Sequence, residues 1–157
     1  MTNATELATP SDREVVLTRV FNAPRHLVFD AMTTPKLLER WLIANGRPMT
    51  VCEVDARAGG AYRFVWQVAG KRDVGMHGVH REVERPSRIV RTEAWEDWDA
   101  GETISTSVLT EDRGMTTLTT TVLFPSKEVR DEVLKSGMAK GAGESYDHLE
   151  RVLTDVA

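Results

Sequence analysis

The hydrophobic pattern of the chain changes period twice. Residues 13–21, "REVVLTRVF", are rich in β-branched side chains and predict a strand. Leu27, Val28, Ala31 and Met32 then recur at helical spacing, with Asn22 as a candidate N-cap and Pro24 near the first turn. Pro35 ends this helix and opens a second short one through Leu38, Trp41 and Leu42. Asn45-Gly46 and Pro48 mark a loop. Strand-like segments follow in series: "MTVCEVD", "AYRFVWQV", "VGMHGVHREVE", "RIVRTEAWE", "ETISTSVLTED" and "MTTLTTTVLF". Ala58-Gly59-Gly60, Ala69-Gly70-Lys71, Arg85-Pro86-Ser87, Asp99-Ala100-Gly101 and Asp112-Arg113-Gly114 supply turn chemistry between them. Such short connections imply an antiparallel meander. Pro125-Ser126 opens a final helix, predicted to run from Ser126, its N-cap, to about Asp155.

That final helix carries Gly137, Gly141 and Gly143, although each glycine costs a helix interior roughly 0.5–1 kcal/mol relative to alanine. At about 100° per residue, Leu134, Met138, Ala142, Ser145, Leu149, Val152, Leu153 and Val156 fall on one stripe. Gly141 lies at its edge, Gly137 further round, and Gly143 near the far side, where no packing reason is legible. The C-terminal half of the stripe is bulky and the middle is small. The C-terminal half is therefore expected to pack on the sheet, and the middle to leave space. A curved sheet gripping such a helix encloses a cavity. Tyr62, Phe64 and Trp66 alternate on one strand face and could line it, with Trp95 from a neighbouring strand and Trp41 from the second helix. The same alternation also suits an ordinary core, and Gly137 and Gly141 a close helix contact.

Length and composition narrow the class. The 157 residues suit one domain, read as residues 12–157 after a loose tail over 1–11. With 41% hydrophobic and 28% charged residues, the chain has an ordinary globular profile. The formal net charge of −4 argues against a nucleic-acid backbone as partner. Cys52 is the single cysteine, so an internal disulfide and a CxxC-type zinc site are ruled out. No stretch reaches the ~20 apolar residues of a membrane span, and the N-terminal residues lack a signal-peptide core, so a cytoplasmic protein is expected.

Candidate chemistry is sparse. In a strand, His77 and His80 face opposite sides, so one metal cannot easily take both, and no metal site is expected. Whichever histidine points inward could be a polar anchor, a general base or a hydrogen-bonded structural residue. Glu82 and Glu93 are strand carboxylates that could enter a pocket or pair with Arg81, Arg88 or Arg91 at a solvated edge. Of the hydroxyl-rich last two strands, Ser105, Ser107 and Thr120 are candidates to face inward. No Ser-His-Asp order, P-loop or G-x-G-x-x-G is present.

"RVFNAPRHLVFDAMTTPKLLERWL", "CEVDARAGGAYRF", "HGVHREVERPSRIVRTEAWED" and "FPSKEVRDEVLKSGMAKGAGESYDHLERVL" resemble the Bet v 1/START-like superfamily. Within it they are most similar to the group related to the C-terminal domain of the activator of Hsp90 ATPase. The resemblance runs over nearly all of residues 13–156 and implies an α+β helix-grip fold. In that fold a curved antiparallel sheet, in the order β-αα-β6-α, wraps around a long C-terminal helix and encloses a cavity. It implies a hydrophobic or aromatic small molecule, lipid-, polyketide- or flavonoid-like, as ligand, and no cofactor. Met138, Gly141 and Ser145 of the helix would face Ser107, the strand aromatics and the inward histidine across it. Two other readings stay open: a cyclase- or hydrolase-type enzyme using a pocket histidine or carboxylate, and an Hsp90-related interaction module. A homodimer and an Hsp90-type chaperone are the corresponding protein partners. Many relatives carry two tryptophans in the second-helix motif; here Leu42 replaces the second aromatic in "RWLIANG".

Overall fold

The computed structural model describes residues 3–43 and 46–157, so the Asn45 part of the Asn-Gly signal lies outside the described residues. The elements run β1 (Glu6–Ala8), β2 (Glu14–Phe21), α1 (Arg25–Thr33), α2 (Pro35–Trp41), β3 (Met49–Val54), β4 (Ala61–Trp66) and β5 (Val74–Glu84), then β6 (Arg88–Trp95), β7 (Thr103–Asp112), β8 (Met115–Leu123), α3 (Lys127–Lys135) and α4 (Met138–Val156). The strands form one antiparallel sheet of order β1-β2-β8-β7-β6-β5-β4-β3. It curves around α4, giving the α+β helix-grip architecture expected from the sequence.

Strict alternation builds the concave face. Val15, Leu17, Arg19 and Phe21 of β2 point inward and are buried, as are Thr116, Leu118, Thr120 and Val122 of β8. The register joins them into rows across the sheet: Leu109–Leu118–Arg19 in one, Ser107–Thr120–Leu17 in the next. The first row is bulky and lies under the C-terminal half of α4. There Leu149, Val152 and Leu153 join Phe21, Val28 and Leu38 in the main core.

Three expectations are corrected by the structure. The tail expected over 1–11 is not loose across its described residues, 3–11: β1 pairs with β2, and the Asn3 side chain donates to the Val20 carbonyl at 2.7 Å. Asn22 does not cap α1. Pro24 is the N-cap residue, and the Arg25 N–H is satisfied from outside by a Glu111 carboxylate oxygen at 2.8 Å. Finally, the long helix is two. Ser126 does cap α3, accepting from the Val129 N–H, but Gly137 breaks the run at φ +87° and α4 restarts at Met138. A Cβ at Gly137 would meet nothing within 4 Å, so the glycine is required by its left-handed backbone and not by crowding. Gly137→Ala is accordingly expected to lower stability by about 1 kcal/mol in urea unfolding. An unchanged or higher midpoint would mean that α3 and α4 merge without cost.

A register shift between His80 and Glu82 sets the phase of β5. Met76 and His80 point inward before it, and Val83 packs against the core after it. This bulge reverses the alternation and turns Glu82 outward, beside Arg88 at 3.5 Å.

Candidate ligand cavity between the sheet and the C-terminal helix

Small side chains face each other where the sheet passes under the N-terminal half of α4. On the floor stand Ser105, Ser107 and Thr120, whose register partners continue to Arg91, Ile89 and Leu17. On the helix stand Gly141, Ala142 and Ser145. Neither surface fills the gap, and a cavity of about 720 Å³ results. Its size falls within the ~300–1,000 Å³ range of small-molecule pockets.

The walls are largely apolar. Leu17, Val122, Met138 and Ala142 close one side, while Met76, Trp66 and Trp41 close the other. All four tryptophans of the chain, Trp41, Trp66, Trp95 and Trp98, line the cavity. Two of them are anchored through their indole N–H groups: Trp41 donates to the Ala31 carbonyl and Trp66 to the Leu42 carbonyl, both at 2.8 Å. Trp95 and Trp98 are each 41% exposed at the rim. Tyr146, absent from the predicted site, stacks on Trp41 with ring centroids 6.3 Å apart and meets Phe21 edge-on at 5.7 Å. Burial raises its pKa.

Polar groups gather on the sheet side. Arg91 and Glu93 lie on the inward face of β6 with Ile89 and Trp95, and all four line the cavity. The Arg91 guanidinium sits 4.5 Å from the centre of the Tyr62 ring and 5.5 Å from that of Phe64. It donates to Glu93 Oε2 through Nε at 3.3 Å and Nη2 at 3.2 Å. Ser107 and Thr120 hydroxyls share a hydrogen bond at 3.2 Å.

The predicted site residues therefore divide. Trp41, Trp66, His80, Trp95, Ser107, Met138, Gly141 and Ser145 line the cavity. Tyr62 and Phe64 point to the same side but do not: they are 2% and 1% exposed, with Arg91 laid over their rings and the Tyr62 hydroxyl donating to the Thr92 carbonyl at 2.5 Å. His77 faces the opposite surface, where its ring is 3.1 Å from Glu96. The Arg63 fork holds Glu96 first, His77 second, and together they bring its pKa down to about 2. The register thus resolves the histidine pair in favour of His80.

His80 is held by the turn before β4. Its Nδ1 donates to the Gly60 carbonyl at 3.0 Å, and the Asp55 carbonyl also faces the ring. Gly60 permits this close turn, since a Cβ there would lie 2.1 Å from the Asp55 carbonyl oxygen. Desolvation lowers the His80 pKa and keeps the ring neutral. Burial also pushes the Cys52 thiol up to about 11, which keeps it protonated. Gly143, unexplained by the stripe, borders the N-terminal segment: a Cβ there would have the Thr5 hydroxyl as its nearest neighbour, at 4.0 Å.

A family model described as "Activator of Hsp90 ATPase homolog 1-like protein" matches residues 22–154. A crystal structure of a protein from Rhodobacter sphaeroides is 33% identical, with a TM-score of 0.91, covering 98% of this chain and 99% of that one. Protein CV1439 from Chromobacterium violaceum is 26% identical over 88% of this chain and 96% of that one, with a TM-score of 0.77. Protein Ms6760 from Mycobacterium smegmatis shares the fold at 22% identity, with a TM-score of 0.86 and 96% of each chain covered. Among curated proteins none matches. Among the described residues, no helix is long and apolar enough to cross a membrane.

Proposed function

This chain belongs to the activator of Hsp90 ATPase homolog 1-like family, and from that premise we propose that it binds an apolar, aromatic small molecule between its sheet and α4. The observation that carries the reading is the facing pair of small-residue surfaces, Ser105, Ser107 and Thr120 against Gly141, Ala142 and Ser145. Sequences that fill a core place bulk on at least one such surface, as this chain does a turn further along at Leu149 and Leu109. Tryptophan walls suit a flat ring system, and the placed polar groups on the floor suit a ligand with one hydrogen-bonding end.

The enzyme reading draws less support. His80 donates its Nδ1 proton to the Gly60 carbonyl of a turn, and among the described residues no nucleophilic or acidic side chain is hydrogen-bonded to its ring. Glu93 is engaged by Arg91. The Hsp90-module reading draws on the family description alone.

Fluorescence provides the test, because every tryptophan lines the cavity. Titration with 1-methylpyrene is expected to give saturable energy transfer from tryptophan at one equivalent. Backbone amide shifts should change along residues 138–146 and on β6 and β7. Absence of saturation together with unmoved amides would overturn the proposal.

A further inference from the structure

We propose that Arg91 and Glu93 select a neutral ligand head group that presents a hydrogen-bond acceptor beside a donor, such as a carboxamide or lactam. This rests on the cavity being a ligand site, as argued above. The geometry of the pair leads there. Both of its hydrogen bonds run to a single carboxylate oxygen: Arg91 Nε and Nη2 each donate to Glu93 Oε2. Arg91 Nη1 and Glu93 Oε1 make no hydrogen bond among the described residues. Nor are these atoms sealed in, since among the described residues the buried side-chain polar atoms left without a partner are Nε and Nη2 of Arg19. Both side chains line the cavity, so its floor offers a free donor, Arg91 Nη1, and a free acceptor, Glu93 Oε1, on one ion pair.

The guanidinium is also held in place, lying over the Tyr62 and Phe64 rings at 4.5 and 5.5 Å from their centres and bound to Glu93 through Nε and Nη2. A head group must therefore match a preset fork. A carboxamide does so, its carbonyl accepting from Arg91 Nη1 and its N–H donating to Glu93 Oε1. A carboxylate would meet Arg91 well but bring a second negative charge against Glu93. An ammonium would do the reverse. Either adds net charge to a neutral pair in an apolar enclosure, which is costly. A methyl group would strip water from both free atoms without replacing its hydrogen bonds.

Four probes with one ring system separate these cases: pyrene-1-carboxamide, pyrene-1-carboxylate, 1-pyrenemethylamine and 1-methylpyrene, each titrated by tryptophan-to-pyrene energy transfer at pH 7. The carboxamide is expected to bind at least tenfold more tightly than each of the other three. In Glu93→Gln the preference should swing to the carboxylate, and in Arg91→Met to the amine. A merely structural role for the pair would weaken all four probes alike. Equal affinities in the unaltered protein would overturn the inference while upholding an apolar site. A carboxylate that binds tightest would overturn it in favour of a simple anion site. Failure of all four to bind would remove the site itself and the inference with it. Because the ranking is read first in the unaltered chain, a variant that fails to fold does not decide the matter.

Discussion

Replacing Asp147 and Glu150 together by alanine is expected to destabilise the protein by about 3–5 kcal/mol, the usual cost of stranding a buried charge. The cation concerned is Arg19, whose side chain is 1% exposed on the inward face of β2. Its Nη1 lies 3.0 Å from Asp147 Oδ1 and 3.1 Å from the Thr5 hydroxyl, and its Nη2 lies 3.6 Å from Glu150. These contacts tie β2, α4 and the N-terminal segment together beside Phe21. The guanidinium already lacks hydrogen-bond partners at Nε and Nη2, so it has no reserve when its counter-charges go. The converse change should be mild. In Arg19→Met the two carboxylates remain 49% and 21% exposed and can hydrate, while the methionine fills the same inward space. The triple variant should regain most of the loss. Urea unfolding that places the double carboxylate variant no lower than Arg19→Met would refute the asymmetry and the clamp with it.

Arg19 also shows where sequence reasoning stopped. The β-branched residues of "REVVLTRVF" predict the strand, yet an arginine at an inward position is indistinguishable from an outward one until its partners on α4 are known. The same limit applies to "RIVRTEAWE". Its parity places Ile89, Arg91, Glu93 and Trp95 on one face, but the carboxylates and arginines of this stretch equally suit pairing at a solvated edge. Only the pairing of Arg91 with Ser105 and of Ile89 with Ser107 shows that this face is the cavity floor. By contrast, the order of elements from β2 to β8, the turns and the Ser126 cap depend on local chemistry and were legible. The contrast between a bulky C-terminal end and a small-sided stretch around Gly141 was legible too, since helical spacing fixes which residues share a stripe, though not that the helix breaks at Gly137.

Glycine was the subtler case. Gly137 and Gly141 lie one turn apart and look alike in sequence, but they act differently. Gly137 takes a left-handed backbone and separates α3 from α4, whereas Gly141 is helical, its N–H donating to the Gly137 carbonyl at 3.0 Å. The β5 bulge is illegible for a related reason: nothing in "HREVE" announces the extra residue that sends Glu82 outward.

Gly141→Leu is the substitution expected to affect binding most. Gly141 lines the cavity from the helix side, opposite a floor of hydroxyl-bearing residues that cannot retreat because their strands are paired on both edges. A leucine at this lining position should exclude a flat ring while leaving the C-terminal anchor of Leu149, Val152 and Leu153 untouched. Affinity for 1-methylpyrene is expected to fall more than tenfold, a loss of about 1.4 kcal/mol or more. Overpacking could add a stability cost of about 1–3 kcal/mol, so thermal unfolding must be followed on the same samples. Gly141→Ala is the companion variant. Its single methyl leaves most of the 720 Å³ free, while removing a flexible residue from a helix interior. It should bind as the parent does and gain about 0.4–1 kcal/mol in stability. A folded Gly141→Leu protein that keeps the parent's affinity would place the ligand somewhere other than beneath α4.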